Sequence, residues 1–293
     1  MIMGETSAMP GRRIAGYVLQ ERIGSGAGTQ TFRAHDVATG RVAALRLVTD
    51  PGMAADPQFR DMFLAEAQAI AALHDPHIAP VWAVGAEGGM LYIATRFVFG
   101  NSLATLLRPV NSSLPPVRTA SLVVQVASAL DAAHAIGLVH QCVKPANILV
   151  GAYPGQAEAA FVSDFGLARL AYDYWAGVAA SGRPAGAETL GDPDYLAPES
   201  TRGGRADGRA DQYALSCVAF RMLTGTVPFS RPSSPATMLA HLYGTVPRLS
   251  ALLPDVPAVV DAVLSKAMAK DPAERFGSCG EFATALREAL PAE

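Results

Sequence analysis

The chain has 293 residues, half of them hydrophobic and 17% charged, with a net charge of −3 at pH 7. That length and apolar content suit one large domain or two lobes and exclude disorder as the default state. The faint acidic balance gives no basis for nucleic-acid binding, which goes with a strongly basic domain.

Taken in chain order, residues 1–14 read as a flexible tail. The opening "MIMGETSAMPGRR" lacks the signal-peptide pattern, because its Arg pair follows the short apolar residues instead of preceding a long apolar core. From Tyr17 to about Val48, "YVLQERIG", "TQTFRAHD" and "RVAALRLV" read as strands with glycine-bearing turns between them. The run 57–73, "PQFRDMFLAEAQAIAAL", has apolar residues at helical spacing. Two strand-like runs follow, "IAPVWAVGAEG" and "MLYIATRFV". "GNSL", 100–103, is a break with a helix cap at Asn101 or Ser102.

Beyond that point the reading is helical over 118–136, 211–224, 235–244, 257–270 and 280–290, with short strands near 147–150 and 160–163. The most apolar long run, 121–139, contains Gln125, Asp131 and His134, which makes it a buried helix and not a membrane span. The segment 164–199 is rich in Gly, Ala and Pro and reads as a long connection, functional or mobile. No internal repeat is visible. A β-rich first third with one helix, followed by a helical remainder, predicts two unlike lobes connected near 96–100. Three cysteines, Cys142, Cys217 and Cys279, are widely spaced and odd in number. They suit a reducing compartment and argue against a disulfide framework or a zinc site. A soluble, cytoplasmic protein is the expectation.

Two groups of residues suggest chemistry. "GSGAG", 24–28, lies between two strands, and glycines such as Gly24, Gly26 and Gly28 let backbone N–H groups approach phosphate oxygens. Taken alone, an ordinary hairpin turn fits as well. Asn147 closes a loop, and Asp164 of "SDFGLA" follows seventeen residues later. An amide oxygen and a carboxylate on consecutive short strands can share a Mg²⁺ ion, a hard cation that prefers oxygen.

With these motifs stand "AALR", "FLAEA", "HQCVKPAN", "DFG", "APE", "DQYALS" and "DPAERF", in this order. On them the chain resembles the protein kinases, and among these the bacterial eukaryotic-like Ser/Thr kinases, from roughly Gly16 to Leu290. The resemblance implies an α+β, two-lobed fold. An N-lobe of antiparallel sheet with one αC helix would occupy 15–96, a hinge 96–100, and a mainly helical C-lobe 101–290. It implies ATP and Mg²⁺ as ligands, with Glu66 as the αC glutamate and Asn147 and Asp164 on the metal. Lys144 would be the catalytic-loop lysine, and Val98 a hinge residue. Glu199 and Arg275 match a buried ion pair, and Asp211 the aspartate that braces the catalytic loop.

The departures from that pattern are as informative. Arg46 stands where a lysine would hold the nucleotide phosphates, and a forked guanidinium cannot sit where an ammonium sat. Thr29 occupies the usual third-glycine site, and Thr31 replaces the valine that packs on adenine. Thr95 is a small gatekeeper, and Arg96 stands where an acid is common. The catalytic Asp is Cys142, the preceding Arg is Gln141, and the Thr that would bond the catalytic Asp is Asp192. Cys142 could be activated by Lys144, but a small semi-polar filler is the simpler reading. Tyr172, Tyr174, Ser181 and Thr189 are candidate phosphorylation sites, although Gln141 removes the arginine that would read such a phosphate. Trp175 fits a partner anchor and an intramolecular packing role equally.

These substitutions cluster on positions that touch nucleotide or substrate. They point to a pseudokinase, a regulatory or scaffold module with weak Mg-ATP binding. Its expected partners are an active kinase or a phospho-binding adaptor of a phosphorylation pathway, with no nucleic acid and no membrane span. Two rival readings stay open: an active or atypical Ser/Thr kinase, and a structural module that binds no nucleotide.

Overall fold

The computed structural model describes residues 8–108, 112–152, 157–180, 192–201 and 206–291. They fall into two compact units. The first takes 8–74, 79–98 and 166–180 of the described chain, and the second takes the rest.

The first unit opens with β1 (Arg13–Ile14), β2 (Tyr17–Gly26), β3 (Thr29–Asp36) and β4 (Val42–Val48). Then come α1 (Pro51–Ala55), α2 (Pro57–Ala71), β5 (Val81–Glu87) and β6 (Met90–Arg96). The strands form one antiparallel sheet in the order β1-β2-β3-β4-β6-β5. Alternation along β4 sends Ala43, Leu45 and Leu47 into a core shared with Leu19, Phe32, Met90 and Ala94. A fully buried leucine of this kind contributes roughly 1.5–3 kcal/mol. The same alternation turns Arg46 to the other face. α2 starts where Asp56 accepts a hydrogen bond from Phe59 N, with Pro57 at the first helical position. Its buried stripe is Phe59, Phe63, Ala67 and Ile70. α1, which the sequence reading did not anticipate, is capped in the same way by Asp50.

The second unit continues with β7 (Gly100–Ser102), α3 (Leu103–Leu106), α4 (Pro116–His134), β8 (Ile148–Gly151) and β9 (Ala159–Val162). The "GNSL" break is thus a short strand followed by a helix, and Ser102 is the residue that caps it, accepting from Thr105 N. β7, β8 and β9 pair antiparallel. A Cβ at Gly100 would strike the backbone of Val150, so only glycine allows β7 to come this close to β8.

After β9 the chain contributes α5 (Leu167–Ala180) to the first unit. The stretch 164–199, read from sequence as a long connection, functional or mobile, thus contains this helix. Its alanines are strong helix formers, Leu167, Leu170, Ala171 and Tyr174 recur at helical spacing, and Arg169 and Asp173 form an i,i+4 ion pair. Composition alone had grouped those alanines with the glycines. The candidates Ser181 and Thr189, and the side chain of Tyr172, lie outside the described residues.

The remaining helices belong to the second unit: α6 (Pro198–Thr201), α7 (Gly208–Thr224), α8 (Ser234–Tyr243), α9 (Leu249–Leu252), α10 (Val259–Ala267) and α11 (Cys279–Ala289). α7 is buried at every position from Ala210 to Phe220, the polar Asp211, Gln212 and Ser216 included. α4 and α11 pack together beside it. Among the described residues no helix is long and apolar enough to cross a membrane.

Candidate active site, described unit by unit

In the second unit the loop before β8 is fixed from below by α7. Asp211 is fully buried and its carboxylate accepts from His140 N at 2.8 Å, Gln141 N at 2.7 Å and His134 Nε2 at 2.8 Å. Hydrogen bonds to a charged acceptor are the strong ones. They hold Gln141 at φ 57°, a left-handed conformation that costs a non-glycine residue about 1 kcal/mol or more. Burial alone would lower the His134 pKa, but the Asp131 and Asp211 carboxylates outweigh it and push it up to about 9. The bracing role expected of Asp211 is visible in this geometry.

His140 carries the next layer. Its Nδ1 accepts from Cys142 N at 3.2 Å, so its Nε2 donates to Ser163 O at 2.9 Å. The ring lies 4.7 Å from that of Phe165, tilted against it by 54°. Asn147 turns its amide nitrogen to Cys142 O at 2.9 Å, while its own carbonyl accepts from Ser163 N. Asp164 sits at φ 69°. Cys142 is therefore held through its backbone, with its side chain in the field of Lys144, Asp164 and Asp192. Burial pushes the thiol pKa up, Asp164 and Asp192 add to this, and Lys144 and Asn147 oppose it. The thiol stays protonated at neutral pH, which leaves it a weak donor and a poor base. The activation of Cys142 by Lys144 is outweighed.

Asp192 caps the turn Pro193–Tyr195 by accepting from Asp194 N at 3.3 Å. Asp194 is half-buried and its pKa is raised, by burial first and then by Asp192, against the pull of Arg221. Further on, Arg275 grips Glu199 with two hydrogen bonds of 2.7 and 2.8 Å while also donating to Arg209 O and Ala269 O. Its side chain is fully buried. This ion pair matches the one implied by the resemblance.

In the first unit, Ala27 and Gly28 both have positive φ, 48° and 78°, and form the tight turn between β2 and β3. Thr29 donates its hydroxyl to Gly26 O at 2.8 Å and closes that turn. Gly28 lies against Met53 and Asp50, where a Cβ would collide, whereas a Cβ at Gly26 would meet open space. Gly24 pairs with Thr31, and Thr31 in turn with Arg46 across β3 and β4. Thr95 donates to Ala44 O, Arg96 pairs with Ala43, and Val98 is buried.

Glu66 projects from α2 onto the segment that leads into α5. An added Cβ at Gly166, itself at φ 60°, would collide with the Glu66 carboxylate. Burial raises the Glu66 pKa, and the Arg169 guanidinium opposes the shift. α5 also inserts Tyr174 beside Phe59 at 5.6 Å, edge to face, with Trp175 5.3 Å from Tyr174. Trp175 is thus half-buried within its own unit. The role of Arg169 is one that sequence reading missed; its i,i+4 spacing to Asp173 in an alanine-rich run was the available signal.

Asn147 and Asp164 fit a hard cation. The Asn147 nitrogen is committed to Cys142 O, so its oxygen is the atom left to offer beside the Asp164 carboxylate. A Mg²⁺ ion held by these two residues would supply positive charge to neutralise nucleotide phosphates. Gly26, with no atom near its missing side chain, is the backbone position that would best admit a phosphate.

A unit built on a six-stranded antiparallel sheet with α2, and a helical unit whose central helix pins a loop through a buried aspartate, are the two parts of a eukaryotic-like protein kinase. The family model described as protein kinase domain matches residues 17–287, and the chain belongs to that family. Among curated proteins it is 36% identical over 287 residues to the Ser/Thr-protein kinase PknE of Mycobacterium bovis, covering 98% of this chain and 48% of that protein. It is 38% identical over 289 residues to PknD of Mycobacterium tuberculosis, covering 98% and 42%. The crystal structure of the Mycobacterium tuberculosis PknI kinase domain superposes with a TM-score of 0.73 at 33% identity, covering 97% of this chain and 100% of that one. The chain thus spans less than half the length of these curated relatives. Its two-lobed α+β class is that of the PknI domain.

Proposed function

We propose that this domain is a pseudokinase, a regulatory or scaffold module of bacterial Ser/Thr phosphorylation signalling that binds Mg-ATP weakly and transfers phosphate at background rates. The observation that carries the reading is the state of Cys142. A cysteine, whose thiol pKa is raised by burial, stands where the resemblance expects a carboxylate, in the field of Asp164 and Asp192. It cannot accept a hydroxyl proton, and the loss of a positioned base costs about 10²–10⁴-fold in rate. The closeness of Glu66 to Gly166, and its place in the field of Arg169, support the same reading, because they set the αC glutamate beside the start of α5.

Retention of Lys144, Asn147 and Asp164 favours a second reading, an atypical Ser/Thr kinase, since phosphoryl transfer rests mainly on positioning and electrostatics. Its setting in either case is the cytoplasm, and its partners are an active kinase or a phospho-binding adaptor. The test is radiolabelled phosphate transfer to a generic basic substrate, with Asp164→Ala as control. The natural protein is expected to match the control. Robust transfer that depends on Asp164 overturns the pseudokinase reading in favour of the atypical kinase. A melting titration with ATP, with and without Mg²⁺, separates both from a module that binds no nucleotide: a ligand at a hundred times its Kd stabilises by about 2.7 kcal/mol.

A further inference from the structure

A second cluster of reactive groups lies apart from Cys142 and meets the catalytic loop at Asp211, whose Oδ2 accepts from both His134 Nε2 and His140 N. Asp131 and His134 project from the last turns of α4, and Cys279 is the first residue of α11. One ligand atom from each lies within 4.8 Å of the others. Asp131 Oδ1 accepts from Cys279 N at 3.0 Å and Oδ2 from Gly280 N at 2.8 Å, which fixes the carboxylate across the start of α11. His134 Nδ1 is 3.8 Å from Asp131 Oδ1. Asp131 and His134 border a pocket of about 360 Å³ that Gly208, Arg209, Gln212 and Ser278 also line, with Cys279 buried behind it.

We propose that Asp131, His134 and Cys279 form a binding site for a single Zn²⁺-like transition-metal ion, with the fourth coordination position open to this pocket. Four observations support it. The donor set is a thiolate, an imidazole nitrogen and a carboxylate oxygen, which selects zinc over Mg²⁺ or Ca²⁺. The other nitrogen of His134 is held at 2.8 Å by the Asp211 carboxylate, the outer-shell arrangement that orients a ligating histidine and leaves Nδ1 as the ligand atom. Gly208 packs flat against His134, and a side chain there would strike Nδ1, so glycine keeps the ligand face open. Ligand atoms on a tetrahedral ion with bonds of about 2.0–2.3 Å stand about 3.3–3.8 Å apart, so closure from the observed spacing needs only side-chain rotation.

Charge is conserved in the exchange. The ion takes the place of the Cys279 Sγ proton and the His134 Nδ1 proton, releasing two protons for one divalent cation. Cysteine spacing could not reveal such a site, because it uses one thiol and two groups about 150 positions earlier. The consequence reaches the catalytic loop: an ion on His134 stiffens Asp211, which carries the N–H groups of His140 and Gln141.

Co²⁺ is the probe, added to the intact chain at pH 8, where proton competition is lighter. One equivalent is expected to give a thiolate-to-cobalt charge-transfer band that Zn²⁺ bleaches, Mg²⁺ leaves unchanged and Cys279→Ser abolishes. Zn²⁺ is expected to raise the melting temperature of the natural chain and not of Cys279→Ser. The chain has three cysteines, so the double variant Cys142→Ser/Cys217→Ser leaves Cys279 as the only thiol and must keep the band, whether or not Cys279→Ser folds. His134→Gln is expected to weaken binding at least tenfold. Absence of the band in the natural chain, or its loss in the double variant, overturns the proposal.

Discussion

Restoring a carboxylate at Cys142 tests the reading of the catalytic loop most directly. Burial and the Asp164 and Asp192 carboxylates disfavour negative charge at this half-buried thiol, while Lys144 and Asn147 favour it. A carboxylate in Cys142→Asp inherits that field. Burial and a like-charge neighbour each raise a carboxyl pKa, and a shift of one to three units is of the usual size. At about 1.4 kcal/mol per unit, the variant loses about 1.4–4 kcal/mol of stability at neutral pH.

The sign follows from linkage. The folded pKa lies above the unfolded one, so the contribution is fully present below about pH 4 and is lost as pH rises through the folded value. Cys142→Asp should therefore fall further below the natural protein at pH 8 than at pH 5 in denaturant titrations. Adding Asp192→Thr removes one of the opposing carboxylates and should recover the smaller part of that loss, because burial and Asp164 weigh more. Phosphate transfer should rank the triple variant with Arg46→Lys above the double, the double above either single, and the natural protein at background, because positioning of the phosphates is a separate requirement from the base. Equal pH response in Cys142→Asp and the natural protein, or transfer by Cys142→Asp alone as fast as by the triple, would refute the argument.

Three other outcomes are expected. Glu199→Gln strands the fully buried Arg275 side chain and should cost about 3–5 kcal/mol in chemical denaturation. Burial and the nearby Lys270 charge drive the His241 pKa down to about 4, with its Nδ1 bonded to the Tyr213 hydroxyl; the stability it contributes is present above about pH 6.5 and is lost as pH falls through 4. That loss reaches about 3 kcal/mol at pH 4 and should vanish in His241→Gln, as measured by melting across pH 4–7. Gly166→Ala forces a Cβ onto Glu66 at a positive φ, so limited proteolysis should cut within α5 faster than in the natural protein, by tenfold or more for a cost of about 1.4 kcal/mol.

Much of this protein is legible from local pattern. The strands of the first unit follow from two-residue alternation, as in Ala43, Leu45 and Leu47. α2 follows from Pro57 and its apolar residues at helical spacing, and α7 from a mainly apolar stretch that Ser216 and Arg221 interrupt. These signals are local because a strand or helix shows its buried face at a fixed period along the chain. Motif order placed Asp211, Glu199 and Arg275 in their roles, and it singled out Cys142 and Arg46 as departures.

Other features depended on which distant groups the fold brings together. The sequence holds Lys144 two residues from Cys142 and suggests a lowered thiol pKa. Only the folded loop shows that burial, Asp164 and Asp192 outweigh it. The helix at 167–180 was hidden because alanine serves helices and loops alike until Tyr174 and Leu167 find something to pack on. Glu66 could be named as a glutamate of interest, but its neighbours Gly166 and Arg169 lie a hundred residues away. The same holds for Asp131, His134 and Cys279. Period and motif are properties of neighbouring residues; charge balance, desolvation and ligand geometry depend on distance in space, which the tertiary structure alone decides.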